Sequence, residues 1–561
     1  MSLIKKLTII FELILAFFPH YAFGNEDIPK TYFVKPMEFI CDYQFNDTTK
    51  WAITCRIWGL LKYFHPNVTV GKLDWDEVLV NSLSKINEAK TAEQVNAELI
   101  QMIRIAGEYE VQKDHTWNDS LNMNVNLCWL EHSFINDSIG QALKKIASLT
   151  VSMHSYYIKT SGGLNILTPN EKDYDSSLIA KFEYRMLSLF RYWNVMYYFF
   201  PYKYLMDKSW DVTLLEFIPK FLIANDIYSY YKVVRQLTTR LNDGHGFSTA
   251  YVDFFYDPSK IKYITLIDSS TVVRNPPEGS LLERGDIILG IDRQNINSLR
   301  DSVLSFIPSS NKRYADNGIN GYIYHSIMQG CKLTVMRNQQ IITFNEKKKV
   351  YISDNTIANS PYYSISPNIC YVNFDKLKSS DILGMIDSLK NYKGAIFDLR
   401  NYPKHFYSWD LLPHLIETQE YNYALATLAD WSHPGAFYNY ECKMRFSDES
   451  WLRSEKYTGK IAVLINEITM SAAETLSMSF RIHGITLVGT PTAGANGNVS
   501  RFCLPGDIEA TYSAIGFYYP NGEQTQRIGI IPDIEVYPTM DDIIAGRDEV
   551  LDAAIKYLNS D

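Results

Sequence analysis

The sequence has no CxxC pair, although it holds seven cysteines among its 561 residues. Zinc ribbons and dithiol redox sites use closely spaced cysteines, so neither class of site is predicted. There is also no phosphate-binding glycine loop and no cluster of metal-ligating side chains, so we expect no cofactor and no metal. Because the cysteine count is odd, at least one thiol stays free or pairs between chains, and the sequence leaves the pairing open.

Long basic runs are absent as well, since the formal net charge is −9 and the lysine run at residues 347–349 is short. Nucleic-acid-binding proteins concentrate positive charge on one surface, so nucleic acid is not an expected partner. The composition, 46% hydrophobic and 21% charged, is typical of a globular protein that buries a core. A chain of this length predicts about three or four domains.

One apolar segment stands at the N-terminus, and no later segment predicts a membrane span. Lys5 and Lys6 precede the apolar residues 7–18, and a small-x-small pattern follows at residues 22–24. This order is typical of a secretory signal peptide, which predicts cleavage and a mature start near Asn25. An uncleaved anchor is the alternative, but the apolar stretch is short for a bilayer span of about 20 residues. We therefore expect an exported protein, either periplasmic or at the cell surface or beyond.

A degenerate internal repeat occupies the N-terminal half, with an offset of 135 residues between its copies. The identities at this offset are Arg56/Arg191, Trp58/Trp193, Tyr63/Tyr198, Phe64/Phe199, Pro66/Pro201, Trp75/Trp210 and Asp76/Asp211. Each copy predicts a helix that ends before the proline, a second helix near Trp-Asp, and a third helix, at residues 92–105 and 227–241. Only the second copy continues into an Asp243-Gly244-His245 turn, so we predict that one copy is structural and the other carries chemistry.

Residues 251–350 change to short strands and turns. Gly285 and Asp286 form a turn that leads into an apolar strand, residues 301–307 have helical character, and residues 331–337 alternate as a strand does. This pattern resembles a PDZ domain, which implies binding of an extended peptide as an added strand at a sheet edge. A small β domain without a ligand is the alternative.

The remainder, residues 351–561, alternates between strands and helices, which predicts a central sheet covered by helices. The predicted strands are 369–374, 394–399, 461–466, 486–488 and 498–504, and the predicted helices are 381–390, 471–481 and 541–558. Between the strand that ends at Asn466 and the helix that begins at Ser471 there is only a short turn. A hydroxyl at a helix N-terminus lies where free N–H groups favour negative charge, and the N–H of Ala472 would hold an oxyanion. A simple N-cap is the other interpretation of Ser471.

Several segments resemble, in order, the motifs of peptidase family S41, the tail-specific or C-terminal-processing proteases. The segment 466–494 resembles the nucleophile region, residues 393–403 resemble the family's Asp-Leu-Arg loop, and residues 529–536 resemble its late Pro-Asp motif. The resemblance implies a multidomain α/β protein. It would have a mostly helical N-terminal domain (25–250), a PDZ-like domain (251–350) and a crotonase-like catalytic domain (351–561). It also implies an exported serine endopeptidase that hydrolyses unfolded or C-terminal protein segments, with Ser471 as its nucleophile.

The resemblance also implies which residue is the base. One branch of the family uses a lysine where this sequence has Ala495, so a Ser–Lys dyad is excluded. The tricorn-like branch takes a histidine from an upstream segment, and His245 matches it. A neutral imidazole is a good base near pH 7.

Two positions depart from the family pattern. In the family, a late glutamate supports the histidine, and the corresponding position in this sequence is Gln526. Glu523, three residues earlier, is the other candidate. Asp243 is close to His245 in the sequence as well, so this role stays open. The glycine whose N–H completes the oxyanion hole is replaced by Lys404, followed by His405.

Lys404 N–H would then serve beside Ala472 N–H. The same replacement supports an alternative function, a catalytically weak or inactive scaffold that binds peptide or a hydrophobic ligand. Glu474, one turn into the helix, is expected to cap or pair at the helix start.

Overall fold

The computed structural model describes most of the chain. The described residues are 39–42, 44–109, 121–131, 134–151, 155–161, 164–251, 262–349, 360–405 and 408–560. The predicted signal peptide, residues 1–24, lies outside them. Within these ranges, no helix combines the length and the apolar character that crossing a bilayer requires. The chain is a mixed α/β protein with a helical N-terminal region.

The N-terminal region consists of helices around one large core, with two short strands at its edges. The helices are α1 (Thr49–Phe64), α2 (Pro66–Thr69), α3 (Trp75–Glu88), α4 (Ala92–Ala106), α5 (Asp137–Ala147), α6 (Phe182–Phe199), α7 (Trp210–Ile223) and α8 (Ile227–Thr239). The strands β2 (Lys159–Ser161) and β3 (Asn165–Leu167) pair antiparallel. Helix α1 is buried along its whole length and α6 along nearly all of it, because neither has a polar face to turn to water.

The second and third helices of the two copies begin at the same 135-residue offset. Helices α3 and α7 start at Trp75 and Trp210, and α4 and α8 start at Ala92 and Ile227. Within the first copy, Trp58 and Trp75 each donate the indole N–H to the other's carbonyl oxygen at 3.0 Å. Trp193 and Trp210 make the same reciprocal pair at 2.9 Å. Each buried indole N–H is thus satisfied by its own copy, which fixes the angle between the two helices.

The charged residues of the repeat pair across the two copies instead. Arg56 of the first copy contacts Asp211 of the second at 2.6 Å, and Arg191 of the second contacts Asp76 of the first at 2.6 Å. All four side chains are almost fully buried. Each copy therefore supplies the counter-ion that the other needs inside the core.

The middle segment, residues 262–349, folds as a twisted sheet with two helices. Its strands are β4 (Ile264–Ile267), β5 (Ser270–Val273), β6 (Ile287–Ile291), β7 (Gln294–Asn295), β8 (Cys331–Arg337) and β9 (Gln340–Glu346), in the order β4-β5-β6-β8-β9 with β7 beside β6. The predicted helix at 301–307 is α9 (Ile296–Leu304), which starts earlier because Asn295 caps it. Helix α10 (Lys312–Gln329) was not predicted, since its glycines and asparagines give no amphipathic pattern.

The C-terminal part is built on a six-stranded sheet of order β10-β11-β12-β15-β16-β20, parallel except for β10. Its strands are β10 (Tyr362–Ser366), β11 (Ile369–Asn373), β12 (Gly394–Asp398), β15 (Lys460–Ile465), β16 (Thr486–Gly489) and β20 (Ile534–Glu535). Helices α11 (Ile382–Leu389), α12 (Ser408–Leu411), α13 (Asp448–Arg453) and α14 (Ala472–Ile482) follow in chain order. The single predicted helix at 541–558 is wrong. Gly546, at φ 68°, ends α15 (Met540–Ala545) in a left-handed turn before α16 (Glu549–Leu558) begins.

Two further sheets pack beside this core. One has the order β1-β14-β13-β19, with β1 (Asn122–Met123), β13 (Glu420–Ala429), β14 (Ala436–Arg445) and β19 (Ile515–Tyr518). The other is the hairpin of β17 (Val499–Leu504) and β18 (Ile508–Ser513), whose apolar side chains belong to the N-terminal helical core. The helical region and the C-terminal part therefore share one hydrophobic core at this hairpin.

Candidate active site

Ser471 lies at the carboxyl edge of the parallel sheet, between β15 and α14. Its backbone has φ 57° and ψ −125°, a conformation that side-chain-bearing residues rarely adopt. Strain of this kind costs about 1–3 kcal/mol and persists only where the surrounding structure enforces it. In this protein a hydrogen bond holds the strained backbone in place, since Ser471 N–H donates to Ala495 O at 2.9 Å. The hydroxyl is thereby held at the start of a helix, 8% exposed.

Glu474 is fully buried beneath this turn and accepts four hydrogen bonds. Its carboxylate takes the N–H groups of Ser471 (3.3 Å), Gly494 (2.9 Å) and Ala495 (3.0 Å), and the hydroxyl of Thr492. Burial raises the pKa of Glu474 to about 7, against the opposing effect of these donors. Glu474 thus ties the helix start to residues 492–495, which agrees with the structural role expected for it.

The His245 turn docks onto the hairpin strand β18. Thr249 N–H donates to Glu509 O at 2.9 Å, and Thr511 N–H donates to Phe247 O at 2.8 Å. Gly244 lies directly against the 492–495 segment, since a Cβ on it would stand 3.0 Å from the Cβ of Ala495. Ala495 therefore touches the His245 turn on one side and holds Ser471 on the other.

His245 and Ser471 share no hydrogen bond within the described ranges. The imidazole Nδ1 instead lies 2.9 Å from the hydroxyl of Ser513, at the end of β18. Burial lowers the pKa of His245, and the nearby Asp243 opposes that shift. The ring is therefore neutral at pH 7, the state that a general base requires.

Asp243 is completely buried and accepts four hydrogen bonds. Oδ1 accepts from the N–H of His245 (3.1 Å), the hydroxyl of Ser513 (2.9 Å) and the side-chain amide of Gln526 (3.2 Å). Oδ2 accepts from Ser513 N–H at 2.8 Å. The amide of Gln526 also reaches Ser310 Oγ at 3.5 Å, so Gln526 contacts Asp243 rather than the imidazole. Glu523 is exposed, and the structure does not bring it to His245.

The segment predicted to complete the oxyanion hole lies beside the helix start. Lys404 extends its ammonium to Asp375 at 2.7 Å, on the exposed side of the loop. Tyr402 is the residue of this loop whose phenol lies near the side chain of Ser471 and the backbone of Ala472. Burial raises the pKa of Tyr402, and these two neighbouring groups oppose the rise. The phenol therefore lies near the position that an oxyanion on Ala472 N–H would take.

The model of peptidase family S41 matches residues 417–536. This range contains the strained serine, the buried glutamate beneath it and the late motif, in the order that the sequence resemblance requires. Over residues 417–536 the chain is therefore similar to peptidase family S41, a match that supports a serine-type peptidase. His245 and Lys404 lie outside the matched range, so their places in the site rest on the geometry above.

Solved structures show that the chain shares its fold with CPAF over about two thirds of its length. A serine-to-alanine mutant of CPAF aligns with a TM-score of 0.52 at 13% identity, over 68% of this chain and 99% of that one. Mature CPAF aligns with a TM-score of 0.50 at 12% identity, over 68% and 96%. A photosystem II D1 C-terminal processing protease covers 67% of this chain and 97% of its own at 16% identity, with a TM-score of 0.35. No curated protein matches the sequence.

Residues of the middle segment, 262–349, also contact the residues around Ser471 and His245, which the sequence did not predict. Asn311, the N-cap of α10, donates its side-chain amide to the carbonyl oxygens of Thr492 (3.0 Å) and Ala493 (2.9 Å). Ser310 Oγ accepts from Gly244 N–H at 2.7 Å. Tyr314 donates its hydroxyl to the sulfur of the residue before the nucleophile at 3.4 Å. All three parts of the chain thus meet at residues 492–495.

Proposed function

We propose that this protein is an exported endopeptidase of the S41 type that cleaves extended or unfolded polypeptide. Ser471 is the nucleophile and His245 is the general base. Ala472 N–H binds the oxyanion, with Lys404 N–H as the expected second donor. The observation that carries the proposal is the strained backbone of Ser471 at a helix start, beside a buried neutral imidazole turn.

The chemistry follows from these parts. Ser471 Oγ attacks the peptide carbonyl as His245 takes its proton, and the imidazolium returns that proton to the leaving amine. Catalytic hydrogen bonds are often long in unliganded sites and tighten only with substrate bound, which accounts for the absent Ser471–His245 bond. Tyr402 must move away from Ala472 N–H before the oxyanion forms, so substrate displaces its phenol.

Two observations support export and peptide binding. Cys41 and Cys128 form a disulfide, which persists in oxidising compartments outside the cytoplasm. The six-stranded sheet and two helices of residues 262–349 are compatible with the PDZ-like assignment, and a crotonase-like core is compatible with the parallel sheet below Ser471. An extended substrate would add a strand to the edge of the PDZ-like sheet.

A second candidate is a binding protein on the same scaffold. The placement of Tyr402 near Ser471 and Ala472 favours it, because the phenol lies close to the oxyanion position. A binder would keep this contact permanently, whereas an enzyme would give it up to substrate.

The two candidates are separated by a serine-directed fluorophosphonate probe and fluorescein-labelled casein, an unfolded protein substrate. We expect wild-type protein to be labelled and to cleave casein, Ser471→Ala to do neither, and His245→Ala to be slower by about 1,000-fold or more. Ser477→Ala is the matched control, since Ser477 lies on the same helix with its hydroxyl on Ala473 O at 2.7 Å. Equal labelling and cleavage by all four proteins would refute the catalytic assignment.

A further inference from the structure

The imidazole of His245 is connected to a buried carboxylate through one hydroxyl. The chain of contacts runs from His245 Nδ1 to Ser513 Oγ (2.9 Å) and from Ser513 Oγ to Asp243 Oδ1 (2.9 Å). His245 and Ser513 are 268 residues apart in sequence, and Asp243 and Ser513 are 270 apart. Folding alone brings these groups together, so the arrangement is a product of the tertiary structure.

The direction of these hydrogen bonds follows from the carboxylate. An ionised carboxylate only accepts, and the four partners of Asp243 are all donors. Ser513 has a single hydroxyl proton, which it gives to Asp243. Its oxygen must therefore accept from His245, so Nδ1 carries the imidazole proton. Nε2 is left as the unprotonated nitrogen, which is the tautomer that takes a proton from a serine.

Gln526 completes the arrangement. Its amide nitrogen lies 3.2 Å from Asp243 Oδ1, and Gln526 is 1% exposed. A glutamate at this position would place a second carboxylate against Asp243 with no cation between them, and such pairs do not both ionise. An amide donor is the side chain that a buried aspartate at 243 needs here.

We propose that Asp243, acting through Ser513, is the positioning carboxylate of His245, in place of the glutamate that position 526 lacks. Asp243 and Ser513 touch neither substrate nor the reacting atoms; they hold the ring and its tautomer. This inference rests on the proposed function, in which His245 is the base.

The test compares casein cleavage by wild type, Asp243→Asn, Ser513→Ala and the double variant Asp243→Asn/Gln526→Glu. An asparagine at 243 is uncharged and has one acceptor oxygen in place of two, so it cannot accept from all four donors and no longer fixes the direction of the Ser513 hydroxyl. We expect kcat to fall by about 100-fold or more in Asp243→Asn, with KM within about twofold of wild type. Ser513→Ala should lose about tenfold or more, since water can bridge part of the gap.

The double variant returns a carboxylate to the same cluster, so we expect it to regain about tenfold over Asp243→Asn. The nitrogen chemical shifts of His245, assigned against His245→Gln, should show Nδ1–H in wild type and a mixture of the Nδ1–H and Nε2–H tautomers in Asp243→Asn. Ser500→Ala is the matched control. Ser500 is a buried serine of the same hairpin that bonds Ile166 O at 2.6 Å, and its loss should leave kcat unchanged.

Outcomes for this inference and for the proposed function are distinguishable. If Asp243→Asn and Ser513→Ala keep wild-type kcat while Ser471→Ala and His245→Ala are inactive, the positioning role is refuted and the function stands. If the last two variants cleave at the wild-type rate, the function itself fails. If Asp243→Asn does not fold, the test uses Ser513→Ala alone, through its kcat and the tautomer of its His245. If Ser513→Ala keeps both the wild-type kcat and the Nδ1–H tautomer, the inference is overturned.

Discussion

At the scale of single residues, the site is defined by side chains that a sequence pattern identifies and by others that only the fold reveals. Ser471 and His245 come from motifs that survive in the sequence, because a turn before a helix and a Gly-flanked histidine leave a local signature. Ser513 has no such local signature, because a serine at the end of a strand is common. Its contact partner, His245, is also 268 residues away in the sequence. The position of Tyr402 near Ser471 was not predicted either, because the family pattern assigns the oxyanion role in this loop to position 404.

Tyr402 is predicted to restrain the enzyme through its hydroxyl alone. Tyr402→Phe removes the oxygen that lies near Ser471 and Ala472 and leaves the ring in place. Labelling of Ser471 by the fluorophosphonate probe should then be about 3- to 10-fold faster, since the probe no longer has to displace a polar interaction of about 1 kcal/mol. The measurement is the second-order labelling rate. A slower rate in Tyr402→Phe would show that the phenol assists the reaction and does not block it.

The pH dependence of activity is set first by His245. Because burial lowers its pKa below the ordinary 6.5, the base stays neutral down to a lower pH than a solvated histidine would. We expect kcat/KM for casein to be lost only as pH falls, with a midpoint below 6.5. Glu474, with a pKa raised to about 7, titrates nearby, so the same profile in Glu474→Gln separates the two groups. A His245 midpoint above 6.5 in that variant would contradict the prediction.

At the scale of elements, the internal repeat predicted its own helices well. The predicted starts at residues 92 and 227 coincide with those of α4 and α8, because a capping Thr91 and Asp226 mark them in the sequence. The predicted strands of the parallel sheet also lie within one or two residues of those observed. The long hairpin β13–β14 and helix α10 were missed, since their burial depends on neighbours that no local pattern reveals.

The cross-copy ion pairs should hold the repeat together. Asp211→Asn removes the carboxylate that contacts the buried Arg56 at 2.6 Å, which should lower the free energy of unfolding by about 3–5 kcal/mol. The double variant Arg56→Met/Asp211→Leu removes both charges and should recover most of that loss. Urea unfolding measures both. Glu131→Gln, which breaks the exposed pair with Lys144, is the control and should leave stability unchanged. Equal losses in the single and double variants would argue against the pairing.

At the scale of the whole molecule, the site is a junction of three parts of the chain. The helical region provides His245, the C-terminal part provides Ser471, and the middle segment contributes Asn311 to the turn between them. A sequence reading assigns each part a role but cannot show that they meet at residues 492–495, because that contact is made by backbone carbonyl groups common to every residue.

Asn311→Asp tests this junction. The carboxylate still accepts Tyr314 N–H and so keeps the cap of α10, but it cannot donate to the two carbonyl oxygens. We expect probe labelling of Ser471 to slow by about tenfold or more while the unfolding midpoint changes little, because a small displacement of catalytic groups is costly. Asn311→Ala, which loses both functions, should also destabilise the protein. Unchanged labelling in Asn311→Asp would show that the middle segment does not hold the site.

The hydrogen bond from Ser513 to His245 also orders events during synthesis. The ribosome makes the base first, the nucleophile much later, and the hydroxyl that orients the base later still. On the proposed mechanism, a nascent chain that has not reached residue 513 carries His245 without the hydroxyl that orients it. Chains that stop before this residue are therefore expected to cleave their neighbours more slowly than wild type does.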